Sequence, residues 1–244
     1  MTITDELLGP LLRMDPARPR ITHYDDIAGY RVELSGATLA NWAAKTANWL
    51  RDELDVQPGD AVAVLLPPHW QTAGVLLGAW WCGATIITAP PQVTQQGVGQ
   101  CRVALCGVDQ IADAAIADEV AALGLDALGA GIAVLPPGIR DFASEVRVHG
   151  DRFVPGGAGP DAEMVVNAAR ARAAQLGLSA GDRLLCTTSW HATVAGEVLL
   201  AVLAADAGLV QCTGIDPVAL PNRCTAERVT ATLGIEVKSM RRAG

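Results

Sequence analysis

A chain of 244 residues, half of them apolar and 18% charged, can bury a sizeable core and is too apolar to stay disordered. Its formal net charge of −8 excludes attraction to nucleic acid or an anionic membrane through a general field. Lys238, Arg241 and Arg242 near the end are too few to reverse that.

The first residues, "MTITDELLGPLLRMD", lack a basic start and are interrupted by Asp5 and Glu6. They do not read as a secretory signal, so a cytoplasmic protein is expected. The pieces "ITHYD" and "YRVELS" are extended, on either side of a turn at Asp26 and Gly29. Ser35 is placed to cap a helix, its hydroxyl accepting from a free amide of the first turn. In that helix Leu39, Trp42, Ala43, Thr46, Trp49, Leu50 and Leu54 recur at three- and four-residue steps, which predicts a buried face that includes the tryptophans.

"QPGD" is a turn leading into "AVAVLL", a continuous apolar strand over residues 61–66. Next, "AGVLLGAWWCGATIITA" is apolar for 17 residues. A membrane span needs about 20 residues and basic flanks, and Gly83 splits this run, so a buried helix followed by an interior strand over 84–88 is expected. "RVALCG" reads as another strand. Residues 109–123 read as an alanine-rich helix that Asp109 is placed to cap, and "GIAVLP" (131–136) as a further strand or an extended piece. Residues 137–160 read as an irregular connection. A helix then runs from Asp161 to about Leu176, followed by a strand in "GLSAGDRLLCTT", a helix over 194–206 and a strand in "GLVQCT". The six cysteines form no CxxC, and no histidine lies at ligand spacing from Cys101 and Cys106. Buried free thiols are expected, with no metal site.

Strands alternating with helices predict an α/β protein, with a mostly parallel twisted sheet and helices on both faces. Two segments share one order of helix, Gly-Asp turn, strand and helix: "ANWLRDELDVQPGDAVAVLL" and "ARAAQLGLSAGDRLLCTT". Two similar α/β halves are therefore expected, over 1–136 and 161–244, joined by 137–160.

"PGDAVAVLLPPHWQTAGVLLGAWWCGATII" and "LGLSAGDRLLCTTSWHATVAGEVLLAVLAADAGLV" resemble, in order and separation, two segments of the adenylate-forming, AMP-binding superfamily, which includes the acyl-CoA and aryl-CoA synthetases. The chain resembles only the front half of such enzymes. More narrowly, it resembles a set of short actinobacterial-type proteins with distant similarity to them. In the family a Ser/Thr-rich, lysine-bearing phosphate loop lies where this chain has "VPGGAGPDAEM" (154–164). That resemblance implies cofactor binding at Gly156, Gly157 and Gly159, and a substrate pocket near Trp190 and His191, beyond the carboxyl ends of the strands.

The residues complicate this implication. The loop has no hydroxyl and no cation, and Asp161 and Glu163 would repel a polyphosphate. Glycine amides leading a helix still suit an anion, while the carboxylates also suit the helix's own first turn. Weak or absent ATP and AMP binding and no catalytic residue are expected. The family's later motifs and its C-terminal domain have no counterpart here. The leading expectation is a non-catalytic pseudoenzyme that binds a small acyl or aryl ligand or a protein partner. The alternative is a half-enzyme of an AMP-forming acyl-CoA synthetase that needs a partner subunit, or works as a homo-oligomer. A purely structural role is a third reading.

Overall fold

The computed structural model describes residues 1–88, 101–115, 117–190, 196–238 and 240–244. In chain order these form α1 (Ile3–Leu7), α2 (Gly9–Met14), β1 (Pro19–Asp25), β2 (Tyr30–Ser35), α3 (Gly36–Leu54), β3 (Ala61–Leu65), α4 (Trp70–Trp81), β4 (Thr85–Ile87) and β5 (Cys101–Gly107). There follow α5 (Ile111–Ala114), β6 (Glu119–Leu123), β7 (Ile139–Asp141), α6 (Phe142–Val146), α7 (Ala162–Gln175), β8 (Arg183–Cys186), α8 (Glu197–Ala204), β9 (Gly208–Thr213), α9 (Leu220–Ala226), β10 (Ala231–Leu233) and β11 (Arg241–Arg242). The fold is α/β, with one parallel and one mixed sheet among helices.

Contacts gather the chain into two compact units that are not continuous in sequence. One holds residues 1–6, 40–67 and 71–163, the other residues 7–39, 68–70 and 164–244. Residues 7–39, expected with the first half, thus group with the C-terminal part, because β1 pairs in parallel with β9.

The first unit carries a parallel sheet in the order β4-β3-β5-β6-β7. The chain begins this sheet at β3, steps out to β4, then returns past β3 to β5, β6 and β7. Val62, Val64, Val103, Leu105 and Ala121 are essentially without solvent exposure, as parallel strands covered on both faces require. The expected strand at 61–66 is interior. The strand expected at 84–88 is half-buried and, among the described residues, lies at the sheet's edge.

Ser35 caps α3 as expected, its Oγ accepting from the Thr38 N–H at 3.2 Å. Trp49 is fully buried, edge-on to Phe142 with ring centroids 5.5 Å apart, and its indole donates to Glu145 at 2.9 Å. The apolar run after Gln71 forms α4 and β4. Among the described residues no helix is long and apolar enough to cross a membrane.

Three local expectations are corrected. The alanine-rich helix ends at Ala114, and residues 119–123 form β6 between β5 and β7. Alanine's helix propensity, a few tenths of a kcal/mol over most residues, yields to burial and to pairing on both edges. "GIAVLP" is not a strand. Its backbone is shaped by Asp141, whose carboxylate accepts from the Ile132 N–H at 3.1 Å, and Val134 faces solvent. The strand instead lies at Ile139–Asp141 and leads directly into α6, whose cap is Asp141 accepting from Ala143. Residues 137–160 are therefore not wholly irregular.

The second unit carries a mixed sheet in the order β11-β10-β8-β9-β1-β2. All its pairings are parallel except the β1–β2 hairpin. Leu185, Val210, Cys212, Leu220, Cys224 and Val229 form one of its apolar clusters.

Candidate functional site

The glycine-rich segment 154–164 belongs to the first unit except for Met164. Pro58 and Gly59 lie just before β3, and Gly83 just before β4. The Gly59 N–H donates to the Gly83 carbonyl at 2.9 Å. Both residues hold positive φ, +96° and +80°, a conformation that glycine adopts without strain.

The loop packs on this pair. A Cβ on Gly83 would stand 2.9 Å from the Gly159 nitrogen and 3.0 Å from the Gly157 oxygen. A Cβ on Gly159 would collide with the Gly83 carbonyl. None of Gly156, Gly157 and Gly159 holds positive φ, and a Cβ on Gly156 would meet open space. Gly159 is thus required by backbone meeting backbone rather than by a turn. The loop lies at the amino ends of β3 and β4.

The acidic end of the segment is also engaged. The Thr85 hydroxyl donates to Asp161 Oδ2 at 3.3 Å, and the Ala162 N–H donates to the Gly159 carbonyl at 3.2 Å. Glu163 is exposed in the first turn of α7, where a carboxylate favours the helix dipole.

Trp190 is fully buried in the second unit, its indole N–H donating to Gln211 Oε1 at 2.7 Å. His191 lies outside the described residues.

Two polar clusters of the second unit carry no signal in the sequence. In one, His23 Nε2 and Thr213 Oγ1 lie 2.7 Å apart, and the Tyr30 hydroxyl and His69 Nε2 lie 3.0 Å apart. The two imidazoles meet edge to face with centroids 4.6 Å apart. Both histidines are buried. Burial lowers the His23 pKa to about 4 despite the raising influence of Asp25, and lowers that of His69 to about 3 with help from His23. Both imidazoles are neutral at neutral pH.

The other cluster centres on Glu227. Its Oε1 accepts from Tyr24 at 2.6 Å and Arg31 at 2.8 Å, and its Oε2 accepts from Arg183 at 2.6 Å. Burial would raise the Glu227 pKa, but these hydrogen bonds and the arginine charges hold it below its ordinary value. Nearby, Arg223 grips Asp26 through both terminal nitrogens and lies 4.0 Å from the Tyr24 ring centre. In both clusters the partners are far apart in sequence, and no local spacing announces them. Among the described residues no group of three or more His, Cys, Asp or Glu side chains could hold a metal ion.

Comparison with known proteins matches the family described as AMP-binding enzyme to residues 15–122. A TIGR03089 family protein from Mycobacterium tuberculosis is 47% identical over 250 residues, covering 95% of this chain and 98% of that protein. Among solved structures, an acyl-CoA synthetase from Brucella canis superposes with a TM-score of 0.76 at 18% identity, over 96% of this chain and 47% of its own. The N-terminal domain of FACL13 from Mycobacterium tuberculosis does so with a TM-score of 0.73 at 16% identity, over 96% of this chain and 62% of its own. The chain therefore spans about half to three-fifths of these two structures, and its likeness to them is one of fold. With its 47% identical relative matched almost end to end, the chain belongs to the TIGR03089 family, and its fold is like that of the N-terminal part of acyl-CoA synthetases of known structure.

Proposed function

We propose that this chain binds a small acyl or aryl molecule, or a protein partner, and does not itself adenylate a carboxylic acid. The observation that carries this reading is the state of the 154–164 loop. A phosphate loop needs backbone amides open to the ligand and a cation beside them. Here the Gly159 backbone is pressed on Gly83, no lysine or arginine stands in the segment, and Asp161 and Glu163 add negative charge. Transfer of an adenylyl group depends on electrostatic stabilisation of the polyphosphate, and these residues oppose it. ATP and AMP therefore bind weakly or not at all, and the retained fold serves recognition.

Pyrophosphate exchange tests the first half of the proposal, with ATP, magnesium and a broad panel of carboxylic acids. No turnover above the level of a mock purification is expected. Robust exchange that follows the purified chain would overturn it. Calorimetry tests the second half. A medium-chain acyl-CoA is expected to bind more tightly than ATP, and substitution His191→Ala to weaken that binding. Submillimolar ATP affinity would show that Asp161 and Glu163 do not keep the polyphosphate out.

A further inference from the structure

The parallel sheet of the first unit has a feature that the glycine loop does not use. Its order, β4-β3-β5-β6-β7, places the first strand of the sheet second and reverses the direction of winding between β3 and β5. In open α/β sheets the crevice beyond the carboxyl ends of the strands at such a reversal is where ligands bind. A cleft of about 470 Å³ opens at that place, within the size range of small-molecule sites. Leu66 and Pro67, just after β3, line one side. Gly107, at the end of β5, and Asp109 and Gln110, which follow it, line another. Leu125, just after β6, contributes as well.

The lining has a definite chemistry. Leu66, Pro67 and Leu125 are apolar. Around Gly107 two acceptor oxygens converge. A Cβ added there would stand 2.7 Å from Asp109 Oδ1 and 3.7 Å from Gln110 Oε1. Gly107 therefore leaves room for the carboxylate to fold back over the end of β5. Among the described residues, no lysine or arginine lines the cleft, and the sequence from Gln71 to Cys101 contains no charged residue that could bring one from the β4–β5 connection. Leu125 holds φ +52°, a left-handed conformation that costs a leucine about 1 kcal/mol or more. The segment after it is tied down by Asp126, whose carboxylate accepts from the Leu128 and Ala130 N–H groups at 2.6 and 2.7 Å. Strain of this kind gathers where a fold holds a side chain for a ligand.

We propose that this cleft is a binding site for a small organic ammonium with an apolar body. Asp109 and the Gln110 side-chain oxygen receive the N–H donors, and Leu66, Pro67 and Leu125 cover the hydrocarbon. Anions are excluded from it by the unopposed carboxylate. The proposal rests on neither the glycine loop nor Trp190.

The test uses three probes of one shape and different charge: hexylammonium, hexanol and hexanoate. Each is titrated into the isotope-labelled full chain and followed by amide chemical shifts. Hexylammonium is expected to shift Leu66, Gly107, Asp109, Gln110 and Leu125, and to bind about tenfold more tightly than hexanol. Hexanoate is expected to leave these amides unmoved. Asp109→Asn keeps the shape of an exposed side chain and is expected to weaken hexylammonium about tenfold without lowering Tm. Gly107→Ala, which displaces the carboxylate, is expected to act in the same direction. The proposal is overturned if hexylammonium shifts other residues or none, if hexanoate binds here as well as the ammonium, or if Asp109→Asn leaves the affinity unchanged.

Discussion

Gly159 rests its backbone directly on the carbonyl of Gly83, so that two segments 76 residues apart meet without a side chain between them. Gly83 in turn accepts from the Gly59 N–H, and the start of β3, the start of β4 and the glycine-rich loop become one contact. Gly159→Ala should therefore destabilise the protein by about 1–3 kcal/mol, the usual cost of forcing atoms into a closed contact. Gly156→Ala, earlier in the same loop but with open space around it, should change stability by less than about 0.5 kcal/mol. Urea midpoints of the two variants measure the difference. Equal stability would show that the glycines are not held by packing.

The buried imidazoles give the protein a particular acid sensitivity. At neutral pH His23 and His69 are neutral whether the chain is folded or not. As pH falls below about 6.5, the unfolded chain takes up protons that the folded chain refuses until about pH 4 at His23 and about pH 3 at His69. Stability is thus full above about pH 6.5 and falls steadily below it, by on the order of 3 kcal/mol for each group when pH 4 is reached. The salt-bridged carboxylates act lower. Asp26 and Glu227 have pKa values held below the ordinary, so their contribution is present above the carboxylate range and lost as pH drops through it. Urea midpoints at pH 7, 6 and 5 should fall in the wild type. In His69→Gln, which can keep a hydrogen bond to Tyr30, about half of that slope should vanish.

Glu227→Gln should cost about 2–4 kcal/mol. It leaves Arg31 and Arg183 facing a group without charge, and breaking a buried pair on one side is worse than never having built it. Arg31 is partly exposed, which keeps the figure below that of a fully enclosed pair. Chemical denaturation measures the loss. A change under about 0.5 kcal/mol would mean that solvent already screens the cluster.

All six cysteines are buried, and burial pushes the Cys82 thiol up to about 12 and those of Cys106 and Cys212 up to about 11. The thiolate is the reactive form. A thiol reagent at pH 8 should label the native chain slowly and all six sites at once in denaturant. Rapid labelling of even one thiol in the native chain would locate a breach in the core.

What could be read from the sequence was what neighbouring residues settle among themselves. The Ser35 cap and the apolar spacing of α3 depend on contacts three and four residues apart. The strand at β3 is a short, continuous apolar run behind a Pro-Gly turn. The absence of hydroxyls and cations in residues 154–164 is a matter of composition, and it already weakened the case for a phosphate loop.

Tertiary structure decided the rest, because the deciding partners are distant in sequence. Ala121 and Ala122 suit a helix by propensity, and pairing with β5 and β7 made them part of a strand. The β1–β2 hairpin reads as part of the first half, and β9 drew β1 into the second unit. Whether Gly157 and Gly159 face a ligand or a backbone depends on where Gly83 lies. The meeting of His23 with His69, and of Glu227 with Arg31 and Arg183, exists only once the second unit has folded. Local propensities differ by tenths of a kcal/mol. Burying a strand or enclosing a charge involves several kcal/mol, so tertiary burial prevails over local preference wherever the two compete.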